Sequence, residues 1–205
     1  MNRVRIKICG LTRAADMSVA VAAGADALGF VFVPSSPRCL QVSAAGMLCS
    51  QVPAFVCRVG LFLNQDARHV RSVLKQVPLN LLQFHGDEDA EYCRQFGLPY
   101  IKAVSMQSGQ TVAAAEEQFH DAAGILADSH RPGGLGGTGE QLDWTQVLAG
   151  RLPLILAGGL NSSNVAAAIK IVRPWAVDVS SGVESSPGIK DANAIRQFIR
   201  EANSG

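Results

Sequence analysis

Apolar residues along this chain follow two alternating rhythms. Eight runs are apolar over the length of a strand and bounded by turn residues: 5–9, 27–33, 58–62, 81–85, 100–104, 124–128, 153–157 and 176–180. Between them the apolar positions recur at helical spacing, as Val70, Val73, Leu74 and Val77 do after Asp66. Asp89 opens the segment 90–96, Asn161-Ser162-Ser163 precedes 164–172, and Asp191 precedes 192–202. Thr12 leads into an alanine- and valine-rich stretch that ends at Gly24, a residue suited to the position just past a helix. Acidic and hydroxyl residues at these starts have the chemistry of N-caps. The connections after the second, fifth and sixth strands carry a weaker helical signal.

Strict alternation of strand and helix implies a parallel sheet with short right-handed crossovers. Eight units in unbroken rhythm predict an α/β fold, a (β/α)8 TIM barrel, with residues 1–205 as a single domain. A seven-stranded open sheet is the competing arrangement. At 205 residues the barrel is tight, since such barrels typically take about 250.

Polar residues interrupt the strands in a pattern. Val4, Ile6 and Ile8 alternate with Arg5, Lys7 and Cys9, so the second set is expected inside the barrel. The same reasoning expects Arg58 and Lys102 to point inward, and it puts Asp128 at the end of strand six and Asp178 within strand eight. Charges of both signs in a barrel interior require internal pairing or a ligand.

Composition narrows the function more than the fold. Hydrophobic residues make up 48% and charged residues 17%, with a formal net charge of +1. Neither a nucleic-acid nor an anionic-membrane partner is called for, and no run of lysine and arginine forms a basic patch. The opening residues lack the apolar core of a secretory signal, and no stretch reaches membrane-spanning length. The five cysteines (Cys9, Cys39, Cys49, Cys57 and Cys93) are irregularly spaced with no C-x-x-C, which reads as reduced thiols in a cytoplasmic protein. No H-x-H or H-E-x-x-H motif is present, so no metal site is expected.

In this architecture the chemistry sits at the C-terminal ends of the strands. Gly158-Gly159 follows strand seven, and Ser180-Ser181-Gly182 follows strand eight. Barrels often hold a phosphate between these two loops on the N-terminus of a short extra helix, because backbone N–H groups approach an anion closely where no Cβ intervenes. Gly158, Gly159, Ser181 and Gly182 are therefore the expected phosphate cradle, with tight turns as the plainer alternative. The segment Gly134-Leu135-Gly136-Gly137-Thr138-Gly139 matches G-x-G-x-x-G, but it follows the sixth strand rather than joining the first strand to a helix, so it reads as a substrate-covering loop.

Cys9 ends strand one and Asp128 ends strand six, which places them across the barrel mouth from each other. Lys7, two residues below Cys9, is expected to favour the thiolate. Asp128 in a partly apolar site could act as an acid. The residues alone leave open a packed thiol and a loop-stabilising carboxylate. Arg38, in a loop stiffened by Pro34 and Pro37, is either a ligand-binding guanidinium or a solvated surface group. His85 faces the mouth near Asp87, as a structural group or a ligand contact.

Taken together, these segments resemble the phosphoribosylanthranilate isomerases. The resemblance rests on Lys7-Ile8-Cys9-Gly10-Leu11-Thr12, Gly29-Phe30-Val31-Phe32 with Ser36-Pro37-Arg38, and Leu82-Gln83-Phe84-His85-Gly86-Asp87. It continues through Leu126-Ala127-Asp128, Gly136-Gly137-Thr138-Gly139 with Asp143-Trp144, Leu156-Ala157-Gly158-Gly159-Leu160, and 177–184 followed by 187–191. Phe84, Ala127 and Leu142 depart from the commoner residues without touching a proposed chemical group. The resemblance implies an Amadori rearrangement of an N-(5-phosphoribosyl)anthranilate in tryptophan biosynthesis, with Asp128 as general acid, Cys9 as general base and no cofactor. It also implies that Arg38 meets the anthranilate end while His85 and Asp178 support the substrate. The expected partners are a phosphorylated small-molecule substrate and, at most, a second copy of the chain, giving a monomer or homodimer. Other phosphosugar barrels fit less well. An indole-glycerol-phosphate synthase calls for an N-terminal extension, and a ribulose-phosphate epimerase for a carboxylate–histidine metal set. A catalytically silent phosphate sensor would not call for Cys9 and Asp128.

Overall fold

The structure is a computed structural model that describes residues 3–106, 110–129 and 144–205. The eight strands are β1 (Arg5–Ile8), β2 (Ala27–Val31), β3 (Cys57–Phe62), β4 (Leu81–Phe84), β5 (Tyr100–Ser105), β6 (Gly124–Asp128), β7 (Leu154–Leu156) and β8 (Ala176–Val179). All pair in parallel, and β8 returns to β1, closing the barrel. In that closing register Lys7 lies opposite Asp178.

The helices are α1 (Ala14–Ala23), α2 (Val42–Ser50), α3 (Ala67–Leu74), α4 (Ala90–Arg94), α5 (Val112–Gln118), α6 (Val165–Val172) and α7 (Ala192–Ser204). The weakly signalled connections after β2 and β5 thus hold helices. After β6 the described residues contain only a 3-10 turn, Trp144–Gln146. The expected loop 133–139 and Asp143 lie outside the described residues. Asp66, Asp89 and Asp191 cap their helices, accepting from the amides of His69 (2.8 Å), Tyr92 (2.7 Å) and both Asn193 (2.7 Å) and Ala194 (2.9 Å). Gly24 ends α1 in the left-handed conformation, at φ 102°.

Two apolar layers follow from strand alternation. The larger lies between barrel and helices and holds Ile6, Ile8, Phe62 and Phe84. In it Phe32 stacks on Phe62 (5.3 Å), Phe62 meets Phe84 (6.2 Å), and Phe84 meets Tyr100 (6.1 Å). These aromatic contacts brace the strands from behind, each worth roughly 0.5–1.5 kcal/mol beyond its burial. The smaller layer fills the barrel with Ile101, Ala103, Leu126, Ile155, Ala157 and Ala176. Below it, at the N-terminal ends of the strands, a cavity is lined by Arg5, Ala27, Cys57, Val59, Leu81 and Trp175.

The inward assignment holds for β1: Lys7 meets Asp178 inside the barrel, while Ile6 and Ile8 pack toward the helices. It fails for Arg58 and Lys102. On β3 the interior is lined by Cys57, Val59 and Leu61, so Arg58 faces outward, where its Nε donates to Asn80 Oδ1 at 2.8 Å. On β5 Ile101 and Ala103 face inward, and Lys102 turns outward to Glu88. Both cations find their partners in the connections outside the barrel, beyond the reach of any pattern within the strand.

Candidate active site

A cavity of about 750 Å³, counting space open to solvent, opens at the C-terminal ends of the strands. Cys9, Arg38, His85, Asp128, Gly158, Gly159, Asp178, Ser181 and Gly182 all line it. The residues expected to serve as acid, base, substrate contacts and phosphate cradle are therefore brought to one mouth. Ser180, from the expected phosphate loop, joins them, as do Gln83 and Ser129, to which sequence reasoning assigned no role. Gln83 could have been found from parity, since it lies two residues before His85 on the same face of the strand.

Cys9 follows β1 and is buried. A Cβ on Gly29 of β2 would come within 2.7 Å of its sulfur, so the glycine makes the thiol's room. Gly10 turns the chain at φ 74° and leaves space for the Arg38 stem, which would lie 2.5 Å from a Cβ there. Burial pushes the Cys9 thiol above its ordinary pKa, a rise that the Lys7 ammonium offsets only in part and the Asp178 carboxylate adds to. Lys7 thus favours the thiolate as expected, but burial outweighs it. Lys7 donates to Asp178 Oδ1 at 2.8 Å. Burial works against its charge, but Asp178 and Cys9 hold the ammonium well above its usual range.

Asp128, at the end of β6, accepts from the Ser129 amide at 2.7 Å through Oδ1. Its Oδ2 lies 3.3 Å from His85 Nε2. The other ring nitrogen, Nδ1, is 3.0 Å from Gln83 Nε2. The acid candidate thus sits at the head of a short polar row through His85 to Gln83.

The Arg38 guanidinium is bidentate on Glu184, with Nε and one terminal nitrogen both at 2.8 Å. Lys190 Nζ reaches the same carboxylate at 2.8 Å and the Ser180 carbonyl at 3.0 Å. Although burial opposes its charge, Arg38 and Lys190 hold the Glu184 carboxyl below its ordinary pKa. Glu184 and Lys190 belong to a two-stranded strap, β9 (Glu184–Ser186) and β10 (Ile189–Lys190). The signal for this cluster lay in the charged residues after strand eight, which had no assigned partner.

Around the expected phosphate cradle, Gly158 and Gly159 adopt positive φ, 83° and 67°. A Cβ on Gly158 would strike the Ser129 amide nitrogen at 2.6 Å, and one on Gly182 the Leu160 carbonyl at 1.9 Å. The two loops are therefore packed backbone to backbone. The expected extra helix is a single 3-10 turn, Ser181–Val183, so local N–H groups, rather than a long helix dipole, are what it offers an anion. No cluster of metal-ligating side chains occurs among the described residues.

A family model described as N-(5'-phosphoribosyl)anthranilate (PRA) isomerase matches residues 6–201. The chain belongs to the phosphoribosylanthranilate isomerase family. An N-(5'-phosphoribosyl)anthranilate isomerase of Pseudomonas fluorescens is 52% identical over 200 residues, covering 97% of this chain and 98% of its own. One solved phosphoribosylanthranilate isomerase, in complex with reduced 1-(o-carboxyphenylamino)-1-deoxyribulose 5-phosphate, is 38% identical with a TM-score of 0.80, covering 98% of each chain. A monomeric form of the dimeric Thermotoga maritima isomerase also matches at 38% identity and TM-score 0.80, covering 97% of this chain and 98% of its own. Members of the phosphoribosylanthranilate isomerase family thus match the barrel from end to end.

Proposed function

We propose that this protein isomerises N-(5'-phosphoribosyl)anthranilate to the 1-deoxyribulose 5-phosphate aminoketose in tryptophan biosynthesis, with Asp128 as acid and Cys9 as base. The observation that carries this reading is that the thiol and the carboxyl, from β1 and β6, line one cavity between a glycine cradle and an arginine. Protonated Asp128 gives its proton to the furanose ring oxygen as the C1–O bond breaks, leaving an iminium between C1 and the anthranilate nitrogen. Cys9, as thiolate, removes the proton from C2, and the electron pair of that C–H bond flows to the iminium nitrogen. The resulting enolamine tautomerises to the ketone. The iminium is the electron sink. It is also a cation beside a buried thiol, and opposite charge favours the thiolate that burial disfavours.

The ligand of the solved relative carries a carboxyphenyl group at one end and a phosphate at the other. In this chain the amides about Gly158, Gly159, Ser181 and Gly182 would take the phosphate. Arg38 would take the anthranilate end, with His85 and Asp178 supporting the sugar. The residues present serve this reaction without a cofactor. Five free cysteines suit a cytoplasmic enzyme, and no helix among the described residues is long and apolar enough to cross a membrane. The reading takes residues 1–205 as one barrel domain.

Of monomer and homodimer, the homodimer is favoured. Phe55 is fully exposed, two residues before Cys57, which lines the lower cavity. A C2 pair could seat each Phe55 in the other's cavity, an isologous contact.

The test is fluorescence-monitored turnover of N-(5'-phosphoribosyl)anthranilate by wild type, Asp128→Asn and Cys9→Ser. The amide cannot donate the proton, and a serine hydroxyl is a far weaker base at neutral pH. Both variants should fold and lose on the order of 10²–10⁴-fold in kcat. Wild-type turnover by Asp128→Asn would remove the acid, and a mild loss in Cys9→Ser would reassign the base.

A further inference from the structure

Behind the acid side of the site, on the helix face of the barrel, lies an ion pair that no step above uses. Lys102 Nζ meets Glu88 Oε2 at 3.0 Å, with both side chains buried. The same ammonium donates to the Gly86 carbonyl. Glu88 accepts further bonds from two neighbouring loops, from the Asn64 amide at 2.7 Å and the Gly86 amide at 2.9 Å. Asn64 is a non-glycine residue in the left-handed region, at φ 53°. Its side chain closes onto the second loop, with Oδ1 accepting from the Asp87 amide at 2.7 Å. One carboxylate thus staples the loop after β3 to the loop after β4, and a lysine from β5 neutralises it while gripping the carbonyl of the same residue, Gly86, so that the peptides on both sides of Gly86 are held.

The residue before Gly86 is His85, whose Nε2 lies 3.3 Å from Asp128 Oδ2. Stability alone is a weak reason for this pair, because desolvation consumes most of a buried pair's attraction and apolar replacements are often as stable. Strained backbone persists where the surroundings over-determine it, and such places cluster at functional sites.

We infer that the Glu88–Lys102 pair is a positioning device for the acid: it fixes the Gly86 peptide, and through it holds the His85 ring against the Asp128 carboxyl. The inference rests on Asp128 being the acid. Neither Glu88 nor Lys102 lines the cavity. They act through Gly86 and His85.

The test compares kcat, KM, the pH profile of kcat and melting temperature for Glu88→Gln, His85→Ala, their double variant and Asp128→Asn. Glu88→Gln keeps the size of the side chain but removes its charge. It should lower kcat by about tenfold to a hundredfold, the scale of a misplaced reacting group, with KM little changed and the limb of the pH profile set by the acid displaced. In the His85→Ala background the same change should cost little further kcat, yet lower the melting temperature as much as it does alone. Additive losses in kcat, or an unchanged kcat and pH profile in folded Glu88→Gln, would overturn the inference. Should Glu88→Gln fail to fold, Lys102→Arg, which keeps the charge but shifts the grip on Gly86, is read by the same criteria. Loss of turnover in Asp128→Asn with normal Glu88→Gln kinetics sinks this inference alone, whereas an active Asp128→Asn sinks the acid assignment and the inference together.

Discussion

The environment of Cys9 is set by burial first, and then by the charges of Lys7, Asp178 and Lys190. Among the cations about the thiol, Lys7 pulls its pKa down the most, whereas Asp178 pushes it up. Lys7→Met would remove the first and leave the second, so the thiolate should form only at higher pH. The rising limb of kcat/KM against pH should move upward, with turnover at neutral pH reduced and partly restored in alkali. An unchanged profile would rule Lys7 out as the thiol's electrostatic partner. The variant also strands Asp178 without its buried partner, at a cost of about 3–5 kcal/mol, so the profile has to be taken well below its melting temperature.

At the scale of elements, the β9–β10 strap holds the Arg38 side of the site through a single carboxylate. Glu184 titrates below its ordinary 4.5 because Arg38 and Lys190 favour its charged form more than burial disfavours it. A carboxyl whose pKa is depressed by folding contributes stability above its unfolded pKa and loses it as pH falls through the folded value. Wild type should therefore exceed Glu184→Gln in melting temperature at neutral pH, and the gap should close in acid below the ordinary value. A gap that stays constant with pH would mean that Glu184 adds no charge-linked stability. The helices α3, α4 and α7 need no such network, because each begins on an aspartate that satisfies its first amides at about 1 kcal/mol apiece.

For the whole molecule, the two ends of the barrel differ in character. The upper mouth gathers polar and charged groups, while the lower cavity is mainly apolar with Arg5 stacked over Trp175 at 4.3 Å. At that lower end Phe55 is fully exposed and is free to make a contact between two copies. Sedimentation should show a wild-type dimer and a Phe55→Lys monomer, because a second cation would be driven toward Arg5. A wild-type protein that sediments as a monomer at all accessible concentrations would end the homodimer reading. Phe55 lies outside the mouth, so kcat per chain should survive the substitution.

Strand periodicity, aspartate caps and glycine positions determined the eight-unit rhythm, the parallel barrel and the strand ends that carry Cys9, Asp128 and the paired glycine loops. These are local properties, written within a few residues of one another. Parity also placed Lys7 correctly, because β1 has one wholly apolar face. It failed at Arg58 and Lys102, where the helix face of the sheet accepts a cation once Asn80 or Glu88 arrives from a connecting segment. Only closure of β8 onto β1 could bury the Cys9 thiol, which raises its pKa, and bring Asp178 beside Lys7 to add to that rise against the pull of the lysine. A charge's effect depends on everything within a few ångströms of it, and in a closed barrel those neighbours come from both ends of the chain.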